Sequence, residues 1–352
     1  MNYLIVQQWP NTKGNHAGMS HMCDLLVKNH PKEYRKIEIQ ETLKCPRRKF
    51  WITRTILSPY YKLRYINPFI KKFIKLIKNT IHEINDSDKI FLLEYHLFEA
   101  GQNFLAKYLR KKYPSVKIYA LSHLTPTKLA QIGFDKKTIL EWSQHIDIQL
   151  TLGTSLSKYF ESIGIPSNRI KTGFHYVDDN FYNNSLANHR QALSIKAIVI
   201  GNIQRNYNLL SKIIQKTPEI NWVICSGQLN LRNIIPNTQN VTIKGYINEN
   251  ELKKLMADSD ISVNVMEDTI GSNVITTSMA MGLGIISSDV GSIHDYCSTE
   301  NAIFCPNDEN SFVSAINSVA NNIALLQQMQ KASVKASKRF NIENFHNWIK
   351  SL

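Results

Sequence analysis

The hydrophobic positions of this chain fall into short strand-length runs separated by stretches with a helical spacing. NYLIV near the start is such a run, followed by a glycine-containing loop and the helix-like GMSHMCDLLVKNH. KIFLLEY and VKIYALSH read as later strands, with FEAGQNFLAKYLRKKY as the helix between them. IDIQLTL, SLSKYFESIGI and a turn around Gly173 complete the first half. Residues 182–194 are polar and have no repeating apolar face, so they predict a linker. The rhythm then restarts with KAIVIGN, NLLSKIIQKT, NWVICSG, NVTIKGY, ENELKKLMADS, ISVNVM, NVITTSMAMG and GIISSD, and helices close the chain. Strands joined by helices of this length predict parallel sheets built from βαβ units. Two such blocks predict two doubly wound domains, 1–182 and 190–336, facing a cleft. The closing helix, 337–352, is expected to pack back toward the first domain. Ligands of such sheets bind at the carboxyl ends of the strands.

Charge changes this picture in one place. The chain has 352 residues, 43% of them hydrophobic and 20% charged, which is the composition of a globular protein. Its formal net charge is +14. Between Glu41 and Glu83 no acidic residue occurs, whereas eleven Lys or Arg do, interleaved with Phe50, Trp51, Tyr60, Tyr61, Tyr65, Phe69 and Phe73. In PFIKKFIKLIKNTI an apolar line, Phe69, Phe73, Ile77 and Ile81, runs beside Lys71, Lys75 and Lys78. Such a basic amphipathic helix suits an anionic bilayer surface. The alternative is a solvated helix whose stripe joins the domain core. Nucleic acid ranks last, because no nucleic-acid motif accompanies the basic segment 44–82. The opening MNYLIVQQWP carries no basic leader, and no apolar run approaches the roughly 20 residues of a spanning helix. The five cysteines are scattered without metal-ligand spacing, so a reduced compartment without structural zinc is expected.

Candidate chemistry follows from strand ends. After the first strand, Gly14, Asn15 and His16 precede a helix, where backbone amides can approach an anion. His123 stands at the mouth of VKIYALS, placed either to hydrogen-bond a ligand or to hold a turn. After KAIVIG come Asn202 and Arg205, a cation able to grip a phosphate bidentately. Tyr246 follows NVTIKG, where a base could stack. Glu267, Asp268, Gly271, Ser272 and Asn273 follow ISVNVM and open the helix carrying Thr276 and Thr277. Asp258-Ser259-Asp260 spells a metal-binding DxD, but it ends a helix before a strand, and Asp178-Asp179 lies in a loop. No metal requirement is expected.

The order of these segments resembles the group 1 (GT4-like) glycosyltransferases with the GT-B fold, most strongly from about residue 145 to 300. The resemblance rests on SLSKYFESIGI, on GFHYVDDNFY around Gly173, on Gly201-Asn202 with Arg205, on VTIKG and LKKLMADSD, and on TSMAMGLGI followed by SSDVGS. It implies two facing Rossmann-like domains with a cleft, and transfer of a sugar from a nucleotide-sugar to an acceptor with retained configuration, without metal or other cofactor. Arg205 would hold the diphosphate and the 271–277 segment the ribose and phosphates. Tyr246 would lie near the base, His123 near the transferred sugar and the His16 loop under the diphosphate.

The departures are specific. The family usually carries two glutamates eight residues apart; here Thr269 and Thr277 take those places, and a threonine cannot hold a diol as a carboxylate does. Asn202 replaces the arginine after the glycine. Glu267 or Asp268 is the acid expected to compensate. The leading expectation is a transferase building a cell-surface polysaccharide on a lipid-linked glycan acceptor, cytoplasmic and held at the inner face of the membrane through 44–82. A nucleotide-sugar 2-epimerase and a catalytically silent, transferase-like partner subunit are the alternatives.

Overall fold

The central apolar runs form strands here because each is long enough to cross a sheet that buries it on both faces. In β1 (Asn2–Gln7), Leu4, Ile5 and Val6 are fully buried. A computed structural model of the protein describes residues 1–9, 14–40, 58–80, 84–184 and 194–352. It divides into one unit of Met1–Leu152, Leu156–Gly173 and Leu352, and a second of Gly153–Ser155 and Phe174–Ser351.

The first unit holds a six-stranded sheet in the order β2-β1-β3-β4-β5-β6. Its further strands are β2 (Tyr34–Ile39), β3 (Lys89–Leu92), β4 (Lys117–Ser122), β5 (Ile148–Thr151) and β6 (Ile170–Thr172). The second holds β7 (Lys196–Ile200), β8 (Asn221–Cys225), β9 (Val241–Lys244), β10 (Ile261–Asn264), β11 (Gly284–Ser288) and β12 (Ala302–Cys305), in the order β12-β11-β10-β7-β8-β9. Every strand pairing is parallel. Strand order reverses between β1 and β3 in the first sheet and between β7 and β10 in the second. Those reversals open a crevice at the carboxyl ends of the strands, where such sheets bind ligands.

Phe174–Tyr182, which the sequence pattern leaves with the first domain, groups with the second unit. Phe174 packs on Phe340 and Phe345, and the Val177 amide donates to the Phe340 carbonyl at 2.8 Å. Residues 185–193 of the expected linker lie outside the described residues.

The basic segment resolves differently from its reading as a surface helix. In the helix Asn67–Thr80, Phe69, Phe73 and Ile77 are buried, and the two phenyl rings stack 5.4 Å apart. The apolar stripe is therefore core, because two phenyl rings and an isoleucine bury more favourably inside the unit than in water. Lys71, Lys72, Lys75 and Lys78 face solvent. The exposed apolar groups lie one turn earlier, in Ser58–Ile66, where Tyr60, Leu63 and Tyr65 are 60%, 70% and 47% exposed. Residues 44–57 and 81–83, with Phe50, Trp51 and Ile81, lie outside the described residues. Among the described residues no helix is long and apolar enough to cross a membrane.

Candidate functional site

The second switch point is built from two loops laid side by side. After β7 the chain turns at Gly201, whose φ of 90° belongs to the left-handed region, and Gln204 adopts φ 55° three residues on. The loop is pinned to the segment after β10: Asn206 N donates to Val265 O at 3.0 Å and Glu267 N to Gln204 O at 2.9 Å. The Tyr207 hydroxyl donates to the Gly201 carbonyl.

Arg205 is brought back over its own turn. Its Nε donates to Ile200 O at 3.2 Å. A Cβ on Gly201 would stand 3.8 Å from the guanidinium and 3.9 Å from Val274 in the first turn of the helix Asn273–Ala280. Gly201, Arg205 and that helix N-terminus thus converge. No carboxylate among the described residues pairs with Arg205, and burial lowers its pKa to about 10, so the cation stands partly desolvated and still charged at neutral pH. A helix N-terminus and an unpaired guanidinium together favour a phosphate-like anion.

The helix is fixed from behind by its apolar face. Ile275 and Met279 are fully buried in a cluster with Ile198 and Ile200 of β7 and Ile285 of β11. Ser272 caps it, its Oγ accepting from Val274 N at 3.1 Å. Gly271, at φ 94°, admits no side chain: a Cβ there would lie 2.1 Å from the ring of Tyr296. Tyr296 is itself buried, its hydroxyl accepting from His175 N at 2.8 Å. Sequence reasoning passed over Tyr296, which no local pattern marks.

Thr276 and Thr277 are buried, and their hydroxyls turn back to their own helix. Thr276 Oγ1 donates to Asn273 O at 3.1 Å, and Thr277 Oγ1 to Asn273 O at 2.7 Å. Thr269, at the place of the first family glutamate, is buried and accepts from Gly271 N at 3.2 Å. Asp268 Oδ1 accepts from Thr269 N at 2.7 Å, and burial raises its pKa. Glu267, Asn202 and Tyr246 are exposed, the last at the end of edge strand β9. Asp260 of the DxD stretch accepts from Lys196 N at 2.8 Å, tying β10 to β7.

The first unit places its expected residues at the ends of β1, β4 and β6. Gly14 adopts φ 78°, Asn15 Oδ1 accepts from Ala17 N at 2.8 Å, and the His16 ring lies 4.4 Å from that of His21. Gly173 N donates to Thr151 O at 2.8 Å. His123 is half-buried, and burial lowers its pKa. Beside it, sequence reasoning missed Glu94 and His96, both buried just past β3.

The two parallel six-stranded sheets, each with a switch point, give this chain the GT-B fold of the glycosyltransferases it is similar to in structure. Residues 196–322, the span containing Arg205 and Gly271, match the family model described as Glycosyl transferases group 1. In structure the chain is similar to sucrose-phosphate synthase from Thermosynechococcus elongatus (TM-score 0.73, 11% identity, covering 100% of this chain and 98% of that one). It is similar also to Anabaena HepE in complex with UDP (0.71, 14%, 100% and 100%). A third neighbour is the lipopolysaccharide outer core galactosyltransferase WaaB (0.67, 14%, 100% and 99%). Among curated proteins none matches the sequence.

Proposed function

We propose that the protein transfers a sugar from a nucleoside-diphosphate sugar to a glycan acceptor. The observation carrying this reading is the Arg205 guanidinium, which pairs with no carboxylate among the described residues, beside Gly201 and the helix Asn273–Ala280 at the switch point of the unit that matches the family. HepE, similar in fold, has been solved with UDP and with UDP-glucose, which supports a uridine nucleotide as the first donor to try. In the transfer, the bond from the anomeric carbon to the diphosphate oxygen breaks and a bond to the acceptor oxygen forms. The acceptor proton leaves with the diphosphate. Arg205 and the helix N-terminus stabilise the charge developing on that leaving group, so no metal ion is called on. Retention of configuration follows from the family resemblance, with the leaving phosphate taking the proton on the same face.

A lipid-linked acceptor at the inner face of the membrane fits the acid-free basic segment. The contact surface is the exposed Lys71, Lys72, Lys75 and Lys78 together with Tyr60, Leu63 and Tyr65. The protein should sediment with anionic but not neutral vesicles, and replacing the four lysines by glutamine should abolish this. Unchanged sedimentation sinks the membrane contact.

The transferase reading is tested by calorimetry with UDP and a panel of UDP-sugars, followed by assay for UDP release. Arg205→Ala should weaken UDP binding roughly thirtyfold and UMP binding much less. Absence of nucleotide binding overturns the reading. Binding without release, with any acceptor tried, favours the silent partner subunit.

A further inference from the structure

Two successive carbonyls in the turn after β7 are each taken by a side chain of the loop that follows. Arg205 Nε donates to Ile200 O at 3.2 Å, and the Tyr207 hydroxyl donates to Gly201 O. The far limb of this loop is held by backbone bonds to Val265 and Glu267. At the near limb Gly201 N donates to Cys225 O of β8 at 3.0 Å, and the Gly201 carbonyl is left to Tyr207. Tyr207 has little freedom to leave that bond. Its ring is 6% exposed, in a core cluster with Val199, Leu210 and Ile224. The residue before it caps the helix Tyr207–Gln215, Asn206 Oδ1 accepting from Leu209 N at 2.9 Å. Burial pushes the Tyr207 pKa up to about 12, so at neutral pH the hydroxyl keeps its proton and stays a donor.

We propose that Tyr207 is a positioning residue: by occupying the Gly201 carbonyl it keeps the Arg205 guanidinium free to meet a diphosphate. The competition it prevents is local. A Cβ on Gly201 would stand 3.8 Å from both Nε and Nη2 of Arg205, so the guanidinium lies over the residue whose carbonyl Tyr207 holds. Arg205 and Tyr207 are close enough to couple, the Arg205 charge acting against the rise in the Tyr207 pKa. A guanidinium presents five donors, and Nε already gives its own to Ile200 O. Without the phenol, the Gly201 carbonyl is an unpaired acceptor beside the remaining four. A charge-assisted bond to it turns the fork inward, and an incoming anion has to break that bond first. Being neutral, the phenol satisfies the carbonyl without neutralising the guanidinium. The far limb keeps its backbone bonds to Val265 and Glu267 whether or not the hydroxyl is there, so its loss disturbs the aim of Arg205 rather than the loop as a whole.

That the ligand is a diphosphate rests on the transferase reading; the hold of Tyr207 on the turn does not. In the full-length protein Tyr207→Phe keeps the ring and removes the bond. Tyr207→Met, which fills the space without a hydroxyl, is the second variant should the first fold poorly. Calorimetry with UDP and with UMP, in wild type and in Arg205→Ala, separates positioning from packing. Tyr207→Phe should weaken UDP binding roughly fivefold and UMP binding by less than about twofold. In the Arg205→Ala background its effect on UDP should shrink to below about twofold, because no guanidinium is left to misdirect. Equal losses in both backgrounds mean that Tyr207 acts through folding, and the proposal falls. Unchanged UDP affinity in Tyr207→Phe overturns it as well. A readout without nucleotide is the Arg205 Nε–H line of 15N-arginine-labelled protein, assigned through Arg205→Ala. That line should move in Tyr207→Phe. If UDP binds wild type and the line stays in place, the proposal is refuted and the transferase reading survives. If the line moves and UDP does not bind, the transferase reading falls and the hold of Tyr207 on Arg205 stands.

Discussion

At the switch point of the second sheet a guanidinium stands beside a helix N-terminus; at that of the first stand a buried carboxyl, two imidazoles and a hydroxyl. The topology is the same and the electrostatics are opposed. The Arg205 turn keeps a charge while partly shielded from water, which suits an anion whose own charge offsets the desolvation. Around Glu94 burial raises the carboxyl pKa to about 8 and lowers those of the His96 and His123 rings, so charge is disfavoured on all three. The two switch points thus differ in charge, and each can be disturbed separately.

The largest disturbance comes from Gly271, which sets the second switch point by fitting against Tyr296. Gly271→Ala adds a Cβ where the Tyr296 ring lies 2.1 Å away, at φ 94°, a backbone conformation that alanine resists. A loss of about 3 kcal/mol or more is expected in urea unfolding, with weakened UDP binding in whatever fraction folds. A wild-type midpoint would mean that the loop is not held against Tyr296, and the convergence on Arg205 would lose its support.

The first switch point has a pH signature. Burial holds the Glu94 pKa near 8 in the folded protein, against 4.5 for the same carboxyl in an exposed chain. As pH rises from about 4.5 to about 8, the unfolded chain ionises at this position and the folded one does not, so stability falls across that window. Glu94→Gln removes the titration. The stability of the variant relative to wild type should therefore climb with pH by on the order of a few kcal/mol and level off above about 8. Parallel stability curves for the two proteins would show that Glu94 is ionised in the folded state, and the contrast between the two switch points would collapse.

The alternation of strands and helices was legible because the central strands are buried on both faces and read as unbroken apolar runs. What escaped lies at the edges. β2 alternates buried Tyr34, Ile37 and Ile39 with Arg35 and Glu38 at the surface, and its charges mask the run. β6 has three residues, two of them exposed. β12 is only AIFC, behind a turn. At the second switch point Arg205 and Gly271 were legible from their places after strands. Glu94 had a signal too: it is the lone acid within the apolar run KIFLLEY, two residues ahead of His96. Two features depend on tertiary packing that local sequence does not encode. The helix Asn67–Thr80 has a periodicity that fits a bilayer surface and a protein core equally, and only its neighbours decide. The threonines of Asn273–Ala280 have a polar atom that serves a ligand or their own helix, according to rotamer.

Thr277 gives the smallest effect and the finest test of where the nucleotide is held. Its hydroxyl proton is engaged by the carbonyls of Asn273 at 2.7 Å and Val274 at 3.1 Å, both acceptors already within the helix. Thr277→Val keeps the β-branched shape and removes a hydrogen bond those carbonyls do not depend on. Stability should change by no more than about 1 kcal/mol and UDP affinity by less than about twofold. Arg205→Ala supplies the scale against which that is small. A tenfold loss of UDP affinity in Thr277→Val would mean that the oxygen, as an acceptor, meets the ligand. The place of the family's second glutamate would then still carry nucleotide recognition, and the anion site would extend a full turn beyond Gly271 into the helix.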